Sequence, residues 1–152
     1  MFPFKILLKR RIFLNSSCLD RHCDILPFFK KEFIDRKADN VYIKNNLLEF
    51  TNKLFKIEED WNIMYAIDKG SLIYIKEEDG SIEIQYKFSI LRTILLCLFA
   101  ALLSFVFLHK WDDALICFCW LAGMNWLITL FRQVRMLKQL SLKLERKLNT
   151  GL

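Results

Sequence analysis

The chain has 152 residues, one domain's worth, and 54% of them are apolar, above the globular average of about 45–50%. Its net charge of +6 is uneven: residues 1–40 carry nine Lys/Arg against five Asp/Glu, 41–87 six against nine, 88–131 two against two and 132–152 six against one. Basic ends around a neutral apolar stretch argue for a juxtamembrane charge pattern and against a nucleic-acid surface, since the plentiful aromatics follow apolar patterns instead of standing among Lys/Arg.

At the N-terminus, MFPFKILLKRRIFL is interrupted by Lys5, Lys9, Arg10 and Arg11, with no continuous apolar run and no cleavage site, so a secretory signal is not expected. Phe4, Leu8 and Ile12 recur at i, i+4, i+8, which suits a basic amphipathic helix on a membrane surface. A helix or strand completing a small domain fits equally well. In residues 25–34, ILPFFKKEFI, Pro27 is expected to break any helix. Residues 1–40 are thus one basic amphipathic segment.

Residues 41–57 read as an amphipathic helix, with Val41, Leu47, Leu48, Leu54 and Phe55 on one face. Three strand-like runs follow, NIMYAI (62–67), SLIYIK (71–76) and SIEIQYK (81–87), separated by Gly-containing turns. The third alternates, placing Ile82, Ile84 and Tyr86 on one face and Glu83, Gln85 and Lys87 on the other. The expected module, 41–87, is a helix packed on a three-stranded antiparallel meander, an α+β arrangement with a thin core that needs further support.

Two uncharged runs come next. Residues 88–108, with Arg92 snorkelling to the interface, and residues 114–131 are each long enough to cross a hydrocarbon core of about 30 Å, which needs about 17–25 helical residues. Residues 109–113, HKWDD, join them, so the expectation is a transmembrane helical hairpin. Lys87 and Arg92 precede it, six Lys/Arg follow it and the loop carries Lys110 alone, so both termini are expected in the cytoplasm of a multi-pass protein, in a bacterial inner membrane. Thr93, Cys97, Ala100 and Ser104 on the first span and Ala122, Asn125 and Thr129 on the second form small or polar stripes, the composition of a helix–helix interface. Asn125 is expected to bond to Cys97, Thr93 or the first span's backbone.

The tail, 132–152, carries a stripe of Leu137, Leu140 and Leu144 among Lys138, Lys143, Arg146 and Lys147. A short coiled coil, an interfacial helix and a lid on the soluble module all fit it.

Chemistry-bearing patterns are sparse. Five cysteines in unmatched settings do not form a secreted disulfide framework and fit a reducing compartment. Cys18, His22 and Cys23 could hold Zn²⁺, but the C-x4-C spacing lacks an evident fourth ligand, so no metal is expected. Glu58-Glu59-Asp60 and Glu77-Glu78-Asp79 read as solvated acidic turns, without the EF-hand spacing. No P-loop, dinucleotide fingerprint, nucleophile elbow or zinc-protease motif occurs. These observations point to a non-enzymatic, membrane-anchored accessory or interaction protein without a cofactor, oligomeric or a subunit of a larger membrane assembly. Its partners would be the bilayer and either itself or another membrane protein, with no nucleic acid. Two other readings share the features: a membrane-active effector whose cytoplasmic module senses a ligand or partner, and a non-catalytic subunit of a membrane enzyme or transporter. Loss of membrane potential on overexpression marks the effector, and co-purification of a catalytic chain marks the subunit.

Overall fold

The structure, a computed structural model, describes residues 5–13, 25–52, 64, 66–108 and 111–150, without the side chains of 104, 107, 108, 114 and 150. In chain order the elements are β1 (Lys5–Phe13), α1 (Ile25–Asp35), β2 (Asn40–Lys44), β3 (Leu47–Thr51), β4 (Lys69–Lys76), β5 (Ser81–Ser89), α2 (Leu91–Leu108) and α3 (Trp111–Thr150). The five strands form one antiparallel sheet in the order β1-β5-β4-β3-β2. The fold is mixed α+β, as the sequence indicates, but the sheet has five strands where three were expected.

Each additional strand has a local cause. The expected helix over 41–57 is a hairpin in its described part, because Asn45 and Asn46 both take positive φ (47° and 60°). Asparagine tolerates the left-handed region, and two such residues in a row make the tight turn whose twist matches paired strands. Val41 and Ile43 then oppose Phe50 and Leu48 on the inner face. The expected strand over 62–67 is absent among its described residues: Met64 and Ile67 are buried, but they sit in turns, with Ile67 N–H bonded to Met64 O at 3.2 Å.

At the N-terminus the helical alternative gives way to a strand paired with β5 along nine residues. A spacing of four belongs to both periods, being one helical turn and two strand repeats, so Leu8 and Ile12 fit either structure. Ile6, Leu8 and Ile12 lie opposite Phe88, Tyr86 and Ile82. Pro27 does not prevent α1; it falls in the first turn, where backbone N–H groups have no helical partner to lose.

The expectation for β5 holds. Ile82, Ile84 and Tyr86 are buried, Lys87 is exposed and Glu83 and Gln85 are half-buried. One face of the sheet is covered by α1, which packs on β2 and β3, and by the C-terminal half of α3, which packs on β1 and α1. Between them lies an aromatic row: Phe33 to Phe50 at 5.1 Å, Phe50 to Tyr86 at 6.2 Å and Tyr86 to Phe88 at 5.2 Å between ring centroids. Such pairs add to the area they bury. The Phe50 ring also lies over Gly70 in the neighbouring strand. A Cβ there would clash with Cζ of Phe50 and fall 2.9 Å from the Lys87 carbonyl oxygen, so only glycine leaves room for the ring.

β5 passes through one residue, Ile90, into α2. The α3 helix begins at Trp111, so Trp111, Asp112 and Asp113 belong to its first turn and not to a loop. Their carboxylates suit the positive end of the helix dipole. The Trp111 indole stacks on Phe105 of α2 at 3.8 Å, bracing the end of the helix pair.

Candidate functional site

The structure offers three places where function could reside: the seam and outer surface of the α2–α3 pair, the junction between that pair and the sheet, and the open face of the sheet.

At the seam, α2 packs on the N-terminal half of α3. Cys97 and Thr129 are buried, and Thr93, Ala100, Ala122 and Asn125 are half-buried. Asn125 Nδ2 lies 3.8 Å from Cys97 Sγ and donates to the Leu121 carbonyl at 2.9 Å. The first contact brings together two of the sequence-designated residues, and the second satisfies the amide within its own helix. Thr93 instead donates to the Ala66 carbonyl at 3.1 Å, outside the pair. The Ser104 side chain lies outside the described residues. Ala101, 5% exposed, joins the seam although its position did not match the expected stripe.

The outer surface of the pair is apolar. Leu95, Leu96, Phe99, Leu102 and Val106 on α2, and Leu115, Ile116, Trp120 and Phe131 on α3, are all more than half exposed or at its limit. One helix, Trp111–Asn149, is long and apolar enough to cross a membrane, and only 6% of its most apolar window is buried within the molecule. The described apolar stretch of α2, Leu91–Leu103, is shorter. The core helix of a soluble protein would be mostly buried; this one is not.

The tail stripe faces the other way. Leu137, Leu140 and Leu144 are 4%, 1% and 1% exposed and join Met136 and Leu148 in the core. Of the readings open for it, the structure places the stripe as a lid on the module's own sheet. Gln133, fully buried, accepts the Tyr86 hydroxyl at 3.3 Å, and burial pushes that phenol's pKa up. Lys143 pairs with Glu32 of α1 and, like Lys147, lies over the Phe28 ring.

The junction is a polar cluster. Asp68 accepts the Arg92 backbone N–H at 3.0 Å, capping α2, and its other oxygen lies 3.3 Å from Arg92 Nε. Asn52 donates to the carbonyls of Met64 (2.8 Å) and Ile67 (2.9 Å) and accepts the Asp39 N–H. Its backbone N–H bonds the Asp68 carbonyl, and the Asp68 N–H bonds that of Ser89. These bonds fasten the start of α2 to three strands.

No described element covers the second face of the sheet. At its far end the charges balance: Lys9 pairs with Glu83 at 3.0 Å and Arg11 with Asp79 at 3.8 Å. Hydrogen bonds from Lys9 and Gln85 hold the Glu83 carboxyl below the usual carboxylate range. Two bonds from Ser81 do the same for Asp79, so that acidic triplet is a turn lock. The end nearest α2 is concave, with a volume of about 290 Å³ lined by Lys5, Lys69, Lys87, Ser71 and Glu49 among others.

Among the described residues no group of three His, Cys, Asp or Glu could hold a metal ion. Cys18, His22 and Cys23, and the triplet Glu58-Glu59-Asp60, lie outside those residues. The sequence pattern does not single out Asn52, which falls within the expected helix 41–57, or Asp68, which falls in an expected turn, or the three lysines of the concave end, which no contiguous motif joins. No protein-family model, curated protein or solved structure matches this chain.

Proposed function

We propose that the chain is a two-pass membrane-anchored interaction protein. In this reading α2 and residues 111–131 of α3 cross the bilayer as a hairpin, and the sheet module, α1 and the end of α3 lie in the cytoplasm. The observation that carries it is the change of burial along one continuous helix: Leu115, Ile116, Trp120 and Phe131 are exposed in its first half, whereas Met136, Leu137, Leu140, Leu144 and Leu148 are buried in its second. Water gives no reason for the first pattern, because exposed apolar surface costs about 25 cal/mol per Å². Lipid gives one.

The 18 residues of α2 span about 27 Å, close to a hydrocarbon core of about 30 Å. Arg92, at its start, is held by Asp68 on the module side, so the cytoplasmic end of the hairpin sits at that ion pair. The Lys/Arg excess after residue 131 supports the same side for the end of α3. Contact is the function: the module is fastened to the anchor through the Asp68–Arg92 junction and presents a sheet face that no described element covers, and the outer surface of the pair suits lipid, a second copy or another membrane protein. Reporters active only outside the cytoplasm, attached at residue 1, at residue 152 and within 109–113, test the topology. Signal from the 109–113 insertion alone is expected; signal from either terminus, or none from the insertion, overturns the two-pass reading.

A further inference from the structure

The concave end of the open sheet face has a charge imbalance that the fold does not use. Strand register assembles it from two adjacent rows. The row nearest α2 runs Thr51–Lys69–Ser89–Lys5 across β3, β4, β5 and β1, and the next runs Tyr42–Glu49–Ser71–Lys87–Leu7 from β2 to β1. Lys5 and Lys69 therefore flank Ser89 from the two neighbouring strands. Their Cα atoms are two strand spacings apart, about 10 Å, and Lys87 stands one row above, about 7 Å along its strand.

Lys5, Lys69 and Lys87 line one concavity together with Ser71 and Ser89. Among the described residues none of the three pairs with a carboxylate, whereas Lys9 and Arg11 on the same face do. The one carboxylate at the rim, Glu49, is engaged by the Tyr42 hydroxyl opposite it, and its charge raises that phenol's pKa. Like charges gathered around hydroxyl donors are unfavourable when empty and favourable around an anion with several acceptor oxygens.

The position of the cup says which anion. Ser89 is one residue from Ile90 and two from Leu91, the first residue of α2. A headgroup layer is about 5–7 Å thick on each side of the hydrocarbon, the rise of about two extended residues. On the two-pass reading, on which this inference rests, the cup lies at headgroup height and opens beside the helix that enters the bilayer. We infer that Lys5, Lys69 and Lys87 form a binding site for the phosphate of an anionic phospholipid headgroup. The site would fix the module's tilt against the membrane and make its orientation depend on lipid charge.

The test titrates the full chain, in neutral-detergent micelles, with dihexanoyl phosphatidylglycerol, dihexanoyl phosphatidylcholine and inorganic phosphate, followed by calorimetry. Two triple variants carry equal charge changes: Lys5→Gln/Lys69→Gln/Lys87→Gln in the cup, and Lys30→Gln/Lys31→Gln/Lys44→Gln away from it. Unchanged far-ultraviolet circular dichroism certifies that both remain folded. The expected result is binding of phosphatidylglycerol about tenfold or more tighter than the other two ligands, lost about tenfold in the cup variant and changed less than about threefold in the control. Equal losses in the two variants overturn the site in favour of diffuse charge attraction. Inorganic phosphate matching phosphatidylglycerol overturns the lipid assignment and makes the cup a soluble-anion site. Should the reporters contradict the two-pass topology while the cup variant alone loses phosphatidylglycerol, the anchoring reading fails and the site stands.

Discussion

The two halves of α3 are one unbroken helix with opposite surfaces. Over residues 111–131 its large side chains point away from the molecule, with Trp120 68% and Phe131 71% exposed. Over 132–148 Met136, Leu137, Leu140, Leu144 and Leu148 are buried to within a few per cent, and Arg135, Lys138, Lys143, Arg146 and Lys147 are exposed. The C-terminal half is an ordinary amphipathic helix whose apolar face closes a core. The N-terminal half is apolar over most of its exposed surface after Asp113, and its polar Asn125 and Thr129 lie on the strip that meets α2. A helix surface is legible only against its solvent, and on the two-pass reading the change at Arg132 marks where lipid gives way to water.

The comparison can be broken most forcefully in the buried half. Leu140→Ala should cost about 2–5 kcal/mol, the transfer term plus the cavity it leaves. Leu115→Ala, at a 64% exposed site, should stay within about 0.5 kcal/mol. Denaturant titration of the full chain in neutral detergent measures both, and equal costs would erase the distinction between the halves.

Next in size is Gly70→Ala. The new methyl would meet the Phe50 ring and the Lys87 carbonyl, so a loss of about 1–3 kcal/mol is expected. Adding Phe50→Leu should recover part of it, because the ring is the movable half of the clash. If the double variant is no better than the single, backbone contact dominates.

The junction comes third. Asp68→Ala removes the cap of α2 and the partner of Arg92, at about 0.5–2 kcal/mol. The effect should appear locally, as faster hydrogen exchange at the amides of residues 92–94. Unchanged exchange there would show that Asn52 and Thr93 hold the junction without it.

The smallest effect sharpens the seam. Asn125→Ala should cost about 0.6 kcal/mol, since its amide already bonds the Leu121 carbonyl within its own helix. In a background without native cysteines, a pair at positions 97 and 125 should crosslink within one chain. Crosslinks only between chains would move Asn125 to an assembly interface.

The parts of this molecule that proved legible in the sequence share one property: a pattern long enough to admit a single period. The alternation of residues 81–87 holds through all seven positions and reads only as a strand. The uncharged runs after Thr93 read only as apolar helices. The misread parts were ambiguous by arithmetic. Leu8 and Ile12 satisfy both periods, so the spacing leaves helix and strand equally open. Around Asn45–Asn46 the turn itself is the signal: a pair of residues tolerant of positive φ announces a hairpin that the apolar spacing of 41–57 conceals. Pro27 was judged as if interior to a helix when it opens one. The candidate sites follow the same logic. The Cys97–Asn125 contact was foreseeable from helical spacing, whereas the cup joins Lys5 to Lys69 and Lys87 only through strand register, which one sequence does not display.

The account turns on whether residues 111–131 lie in lipid, and the native tryptophans report on that directly. Trp120 lies nine residues after Trp111, about 13 Å along the helix, which would put it near the bilayer centre with Trp111 near the edge. In single-tryptophan variants reconstituted into bilayers, lipids brominated deep in the acyl chain should quench Trp120 most strongly, and lipids brominated near the headgroup should quench Trp111 most strongly. Fluorescence from Trp120 that neither lipid quenches would place that surface in water or against protein, and would contradict the account.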